Sequence, residues 1–316
     1  MALKANEGLS FQGSIVLGMG FTLTPEQRAD LIKKDPRNGK LIYPYIGGEE
    51  VNTSPTQAFD RYVINFGDMS LEEAEKWPDL IRIVRELVKP ECDKLKDNVD
   101  GNRRRKYWWQ FGRNTPALNE SLKDKRRVLV TARVTKHLVF SFLTSGIVFN
   151  EKLYVFPTEA WNFFAVLQSR AHEPWARFLS STLGNTLNYS ATDCFETFPF
   201  PRTNLMQPLE IIGQHLYETR AKYMVDTQQG LTKTYNHLIN PTYTDPRIIE
   251  LRHLHEEMDR EVLSAYGWSD IKVPPFQEPT TDADRKALEN FKDEIIDHLF
   301  ALNAEYARWS KRNKGG

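Results

Sequence analysis

One short segment of this sequence mixes positive charges with aromatic rings in a way that suggests chemistry. NRRRKYWWQFGR, residues 102–113, places four consecutive cations before two adjacent tryptophans, Trp108 and Trp109. Lys and Arg neutralise phosphates, and aromatic faces stack on bases or on guanidinium groups. The segment therefore predicts contact with a nucleic acid, with the two tryptophans as candidate stacking residues. Burial of both tryptophans in a core, with the cations outside, is the alternative.

The charge distribution extends this prediction beyond the aromatic segment. The whole chain has 42 basic and 42 acidic residues and no net charge, but residues 103–136 hold eleven Lys and Arg against two acidic residues, a local charge of +9. Such a basic window suits a protein that meets phosphates along one surface, while a solvated charged loop is the alternative. The predicted DNA backbone contacts are Arg103, Arg104, Arg105, Lys106, Arg113, Lys123, Arg126, Arg127, Arg133 and Lys136.

Catalytic and metal-binding patterns are weak in this chain. No GxSxG, GxGxxG or GK[ST] motif occurs. His253 and Glu257 have helical spacing but no HExxH context, so a solvated helix face is the better interpretation. Asp270 and Lys272 match only the loosest nuclease pattern, outside any predicted strand. We therefore predict no catalytic residue and no metal ligand.

The cysteine spacing and the length of the apolar runs bear on the cellular context. Cys92 and Cys194 lie far apart without a CxxC spacing, which argues against a disulfide scaffold or a zinc ribbon. No apolar run is long enough to cross a bilayer, and the first residues do not form an apolar signal segment. We expect a soluble cytoplasmic protein with no membrane partner; the sequence does not indicate an oligomeric state.

The secondary structure predicted to position these residues changes along the chain, from strands with helices to helices alone. Short β-rich runs between residues 128 and 156 indicate an antiparallel sheet, and two apolar helices follow up to residue 183. Past residue 202 the pattern is almost wholly helical, and the last helix has one apolar face. The sequence predicts an α+β fold: a mixed domain over residues 1–202, mainly antiparallel sheet with packed helices, and a helical C-terminal domain over residues 203–316.

Several motifs together resemble a known family. FQGSIVLGMGFTLT, RRRKYWWQFGR and LQSRAHEPWARFLSSTLGNTLNYSATDCFETFPFP are similar to the target-recognition half of single-chain adenine methyltransferases of restriction-modification systems, the Type IIG or IIL, MmeI-like enzymes. The likeness spans about residues 11–201, and MDREVLSAYGWSDI is similar to their helical C-terminal part. The resemblance implies that residues 1–202 are a DNA target-recognition domain with double-stranded DNA as partner.

The same resemblance implies a longer parent enzyme that acts in phage defence. In that family one chain carries an upstream adenine-N6 methyltransferase domain that uses S-adenosylmethionine, and sometimes an endonuclease. Neither the Asn-Pro-Pro-aromatic motif nor a glycine motif for S-adenosylmethionine occurs in these residues, and FPFP at 198–201 resembles the marker that ends the recognition domain. We therefore expect a C-terminal portion of such an enzyme, with no cofactor of its own and with the methyltransferase domain as its partner.

The resemblance also assigns base-reading positions. The family reads bases with side chains just before an aromatic-Ser pair, which here is Tyr189-Ser190. Asn can contact adenine through two hydrogen bonds, and Thr can meet a base edge or a thymine methyl group. A loop that only turns between a helix and a strand is the alternative. The variable loop is Gly184, Asn185, Thr186 and Asn188, and its implied base readers are Asn185, Thr186 and Asn188.

A second function class stays open at this point. The zero net charge and the amphipathic last helix also suit a specificity or regulatory subunit of a phage-defence complex that contacts DNA only with its partner. Binding of duplex DNA by the isolated chain separates the two interpretations.

Overall fold

Three small sheets and the helices around them build the computed structural model, which describes residues 1–183 and 186–312. The strands are β1 (Phe11–Gln12), β2 (Thr22–Leu23), β3 (Ile42–Ile46), β4 (Arg61–Ile64), β5 (Arg127–Ala132), β6 (Val134–Thr135), β7 (Phe140–Thr144), β8 (Val148–Phe149), β9 (Leu153–Phe156), β10 (Ser181–Leu183) and β11 (Thr186–Asn188). The α-helices are α1 (Pro25–Lys34), α2 (Gly48–Thr53), α3 (Leu71–Ala74), α4 (Pro78–Leu87), α5 (Lys89–Asp93), α6 (Val99–Lys106), α7 (Pro116–Leu122), α8 (Trp161–Gln168), α9 (His172–Leu179), α10 (Leu209–Thr227), α11 (Leu231–Ile239), α12 (Pro246–Tyr266) and α13 (Asp282–Arg312).

The sheets are mainly antiparallel, which confirms the predicted α+β class. The first has the strand order β1-β9-β5-β7, the second β2-β4-β3-β8, and the third β10-β11-β6. Among the described strands only the β3–β8 pair is parallel. Short connections between consecutive strands favour this antiparallel arrangement.

Local signals in the sequence set several helix ends. Thr24 caps α1 by accepting a hydrogen bond from the backbone of Gln27, whose side chain in turn accepts one from the Thr24 backbone. Pro78 begins α4, and α12 ends at Gly267, whose φ of 81° is a conformation that favours glycine. Within residues 1–183 and 186–312, no helix combines the length and apolar character that a membrane crossing requires.

Two hydrophobic cores fill the molecule, and the larger one extends across residue 202. It contains Leu129 of β5 together with Leu216 of α10, Leu251 of α12 and Ile295 of α13. The smaller core lies between the second sheet and α4, around residues such as Val63. Past residue 202 no described residue is in a strand, so the change in sequence character marks a change of secondary structure. Side chains on both sides of that position nevertheless pack in one core.

A buried ion pair ties the helices of the two predicted domains together. Arg170, between α8 and α9, places its Nε 2.6 Å from Oδ2 of Asp259 in α12, and its backbone N–H donates to Oδ1 at 2.8 Å. The remaining guanidinium nitrogens donate to the carbonyls of Pro274 and Pro275 at 2.7 and 3.1 Å. The charges of Arg170 and Asp259 and the guanidinium donors therefore find partners inside the protein, as a buried ion pair requires.

The FPFP segment, residues 198–201, contacts both the N-terminal residues and the last two helices. Asn6 donates its side-chain N–H to the carbonyl of Phe198 at 2.7 Å, and the Tyr306 hydroxyl of α13 donates to the carbonyl of Phe200 at 3.2 Å. Tyr266 of α12 donates to the carbonyl of Pro199 at 2.9 Å. The segment therefore has a structural role, joining the N-terminal residues to the last two helices.

Candidate nucleic-acid interface

The sheet β10-β11-β6, hereafter the hairpin sheet, continues the central sheet of the larger core. β5 leads directly through Arg133 into β6, and the Arg133 backbone N–H donates to the carbonyl of Lys152 at 2.8 Å. The Tyr189 backbone N–H, directly after β11, donates to the carbonyl of Arg133 at 2.8 Å. The hairpin sheet is therefore attached to a core strand by covalent continuity and by backbone hydrogen bonds.

The pleat of the hairpin sheet separates buried from exposed side chains. Leu187 and its partner Thr135 are buried, while the neighbouring pair Asn188 and Val134 points to the other face, where Val134 is 57 % exposed. Successive side chains of a strand point to opposite faces, so Thr186 shares the exposed face with Asn188. Two of the three predicted base readers therefore lie on the face that exposes Val134, and both are half-buried themselves. The third, Asn185, lies with Gly184 outside the described residues.

The Asn188 amide is held on both sides. Its Oδ1 accepts a hydrogen bond from Arg133 Nε at 3.4 Å, and its Nδ2 donates to Ser181 Oγ at 3.2 Å. An amide oxygen has two acceptor sites and an amide nitrogen two hydrogens. Within residues 1–183 and 186–312, one acceptor site and one hydrogen of the Asn188 amide have no hydrogen-bond partner.

A buried pair anchors the chain just after Asn188. The Tyr189 hydroxyl lies 3.0 Å from Nε2 of His172 in α9, and both side chains are fully buried. Desolvation lowers the pKa of His172 to about 3 and raises that of Tyr189 well above its usual value, so both groups stay neutral. Ser190 then caps the turn at 191–195 by accepting from the Asp193 backbone at 3.2 Å. These contacts fix the direction in which β11 leaves the sheet.

Two predicted phosphate contacts lie at the hairpin sheet. Arg133 touches Asn188, and Lys136, directly after β6, donates its ammonium to Asn236 Oδ1 at 2.8 Å. Arg177 of α9 adds a third cation here, because its guanidinium donates to the Lys136 carbonyl at 3.1 Å while pairing with Glu173. Arg133 and Lys136 therefore place two positive charges beside β6, while the charge of Arg177 is paired with Glu173.

The second group of predicted contacts lies on α6. Arg103 and Lys106 are exposed, while Arg104 and Arg105 are partly buried. Arg105 forms an ion pair with Asp97 at 3.0 Å and also donates to backbone carbonyls, so its charge is partly used inside the protein. Arg103 and Lys106 are the α6 cations best placed for phosphates.

The third group includes Arg113, Lys123, Arg126 and Arg127. Arg127 lies between two aromatic rings, with its guanidinium carbon 4.1 Å from the centre of Phe142 and 3.8 Å from that of Trp161. Desolvation lowers its pKa, and its placement favours a structural role. Arg127 begins β5, and Arg133 follows its last residue. At about 3.3 Å per residue, the backbones of the two arginines lie about 20 Å apart. The structure thus distributes the basic window over separate places.

The two adjacent tryptophans belong to the interior. Trp108 and Trp109 are each 6 % exposed and pack in the smaller core, and Trp109 Nε1 donates to the Met69 carbonyl at 2.8 Å. Their faces are covered by protein, which leaves no room for a base. This corrects the assignment as stacking residues and supports the alternative, in which the cations alone face solvent.

Sequence reasoning missed three residues of this surface: Ser181, Val134 and Arg177. A signal for the first was present, because Gly184-Asn185 stands between two Thr-Leu pairs, which is typical of a hairpin. Val134 carried no separate signal, since its exposure depends on the pairing of β6 with β11.

Metal-ligating side chains and thiols were the remaining candidates for chemistry in the described residues. No group of three or more His, Cys, Asp or Glu side chains that could hold a metal occurs among them. Cys92 and Cys194 are buried, and desolvation raises both thiol pKa values, so neither is an activated nucleophile.

Comparison with known proteins agrees with this fold. The structure of the Type IIL restriction-modification enzyme MmeI in complex with DNA matches the fold over 95 % of this chain and 35 % of the MmeI chain, with a TM-score of 0.68 and 17 % identity. DNA methyltransferase A of Bacillus subtilis (strain 168) is 24 % identical over 249 residues, which are 79 % of this chain and 26 % of that protein.

The chain thus spans about a quarter to a third of the length of these two proteins. The family model for the MmeI target recognition domain matches residues 6–202, which is more than half of the chain. By that match, and with a fold in agreement, the protein belongs to the MmeI target recognition domain family.

Proposed function

We propose that this chain is the sequence-reading and C-terminal portion of a restriction-modification adenine-N6 DNA methyltransferase of Type IIG or IIL. In this proposal it positions an upstream catalytic domain, which uses S-adenosylmethionine, on duplex DNA as part of phage defence. The observation that carries the proposal is the face of the hairpin sheet on which Asn188 lies between Arg133 and Ser181, hydrogen-bonded to both. Family membership and the likeness to an enzyme solved with DNA support it.

The surface suits a division between positioning and reading. Contacts to phosphates fix where a protein sits on a duplex, and contacts to base edges choose the sequence. Arg103, Lys106 and Lys136 serve the first purpose through exposed positive charge. Asn188 serves the second, because its free acceptor and donor match N6–H and N7 of adenine in the major groove.

The parent's chemistry is proposed from the relatives. One is a DNA methyltransferase and the other a Type IIL restriction-modification enzyme, and both are far longer than this chain. Adenine as the methylated base and S-adenosylmethionine as the methyl donor complete the proposal. The methyl transfer itself is assigned to the upstream domain.

A binding selection tests the reading function directly. The chain is incubated with randomised duplexes at low and near-physiological salt, and the retained DNA is sequenced. We expect a short enriched motif that contains an adenine read by Asn188. Retention without any enriched motif would contradict sequence reading by this chain.

Substitution of Asn188 then assigns the reader. Asn188→Ala should reduce preference at one base pair by about 1–3 kcal/mol, because the bidentate contact is lost, and leave preference elsewhere unchanged. Asn204→Ala, an exposed Asn outside the hairpin sheet, is the matched control and should select the wild-type motif. A uniform loss of affinity in Asn188→Ala, with the motif intact, would remove Asn188 from the readers.

One observation favours a second candidate function. Trp309 of α13 is 67 % exposed, and large exposed aromatic side chains are frequent where another protein binds. A subunit that reaches DNA only through its partner would use such a face. Absence of DNA retention even at low salt would favour this alternative.

A further inference from the structure

The exposed row that crosses the hairpin sheet contains an apolar side chain without an assigned role. Ser181, Asn188 and Val134 are consecutive partners across β10, β11 and β6. Directly opposed residues on neighbouring strands have Cβ atoms about 5 Å apart, so Asn188 has the Val134 methyl groups beside it.

Packing does not explain why Val134 is apolar. It is 57 % exposed, whereas its chain neighbour Thr135 and the facing Leu187 are buried and supply the inner face of the sheet. Val134 belongs to neither hydrophobic core among the described residues. Its methyl groups therefore point to the space that Asn188 also faces.

Ser181 and Arg133 determine what Asn188 can bind. Arg133 Nε occupies one acceptor site of Oδ1, and Ser181 Oγ takes one hydrogen of Nδ2, which fixes the amide against rotation by 180°. The remaining acceptor and donor match N6–H and N7 of adenine in that order. A locked amide prefers adenine because another base edge would place donor against donor or acceptor against acceptor.

We propose that Val134 is a specificity-determining residue that contacts the 5-methyl group of a thymine, at the adenine read by Asn188 or the adjacent base pair. The inference rests on the proposed function. In the major groove the thymine of an A·T pair presents a methyl group, which favours an apolar side chain. Asn188 then reads a hydrogen-bonding base edge, and Val134 reads a methyl group in the same or the adjacent base pair.

Deoxyuridine tests this contact, because it pairs like thymine and lacks only the methyl group. In the motif obtained from the binding selection, each thymine is replaced singly by deoxyuridine, and affinities are measured with the full 316-residue chain. We expect one replacement to weaken binding about fourfold, which corresponds to about 0.8 kcal/mol for one buried carbon. The sensitive thymine should pair with, or adjoin, the adenine whose preference Asn188→Ala relaxes.

Variants at Val134 connect that penalty to the side chain. Val134→Ala should bind the thymine and deoxyuridine duplexes nearly equally, while Val134→Ile, which keeps a β-branched apolar surface, should retain the penalty. Val225→Ala, at an exposed valine of α10, is the matched control and should show the wild-type ratio.

The outcomes separate the inference from the proposed function. A wild-type chain that selects adenine but tolerates deoxyuridine at every position overturns the role of Val134 alone. A Val134→Ala variant that keeps the full penalty does the same. Selection of no motif at all overturns the proposed function, and the role of Val134 with it.

Discussion

At the residue scale, Lys106 and Asn188 differ in the contact that the proposed function gives to each of them. Lys106 is exposed at the end of α6, and its ammonium lies 5.1 Å from the centre of the Tyr107 ring. Asn188 lies on the hairpin sheet, held by Arg133 and Ser181. A free cation suits contact with any phosphate, whereas a locked amide suits one base.

Lys106→Ala should weaken binding to all duplexes alike and reduce the slope of log affinity against log salt by about 0.9, because one fewer counterion is released. The measurement is a salt titration of binding to a selected and a scrambled duplex. Lys292→Ala, at an exposed lysine of α13, is the control and should leave the slope unchanged. A change in motif preference with an unchanged slope would contradict a phosphate role for Lys106.

Residue type alone predicted the exposure of some of these side chains but not the burial of others. The exposure of Arg103 and Lys106 follows from charge, as predicted. Trp108, Trp109 and Arg127 suit nucleic acid equally well by type, but aromatic rings and a long aliphatic stem also gain from burial. Only tertiary packing decides between these uses, and no local pattern reports it.

At the element scale, the hairpin sheet and the buried Arg170–Asp259 pair hold parts together that lie far apart in the sequence. Strand density between residues 128 and 156, helix caps and the proline at the start of α4 could be predicted, because they depend on local pattern. The pairing of β6 with β11 joins residues more than fifty positions apart. That pairing creates the row on which Val134 stands, so that part of the site could not be predicted.

Asp259→Asn should lower the free energy of unfolding by about 3–5 kcal/mol, because Arg170 would remain buried without a counter-charge. Urea denaturation followed by circular dichroism measures the change. Asp282→Asn is the matched control: its carboxylate pairs with Arg285 in solvent, and the expected loss is below about 1 kcal/mol. Equal losses in the two variants would show that the buried pair adds no more than a surface pair.

At the scale of the whole molecule, the helical C-terminal part completes the core of the recognition part. α10 packs on α8, and side chains of α12 and α13 lie in the same cluster as β5 and β9. Sequence character changes near residue 202 because the last described strand, β11, ends at Asn188 and long helices follow from Leu209. The core does not end there, since packing follows surface burial and not the type of element.

A chain that ends at residue 202 should therefore fail to unfold cooperatively and should bind a hydrophobic dye, because Leu129 and its neighbours lose the apolar partners supplied by α10, α12 and α13. Addition of residues 203–316 as a separate chain should restore cooperative unfolding. A cooperative transition of residues 1–202 alone would show that the shared core is dispensable.

The alternation along β11 also bears on how such a protein changes over generations. Leu187 faces inward and packs in the larger core, while Thr186 and Asn188, the proposed base readers, lie on the opposite face. Because successive side chains of a strand point to opposite faces, replacements at Thr186 or Asn188 leave Leu187 in its packed position. Under the proposed function, new target sequences would therefore arise on one side of β11 while the core contact on the other side is kept.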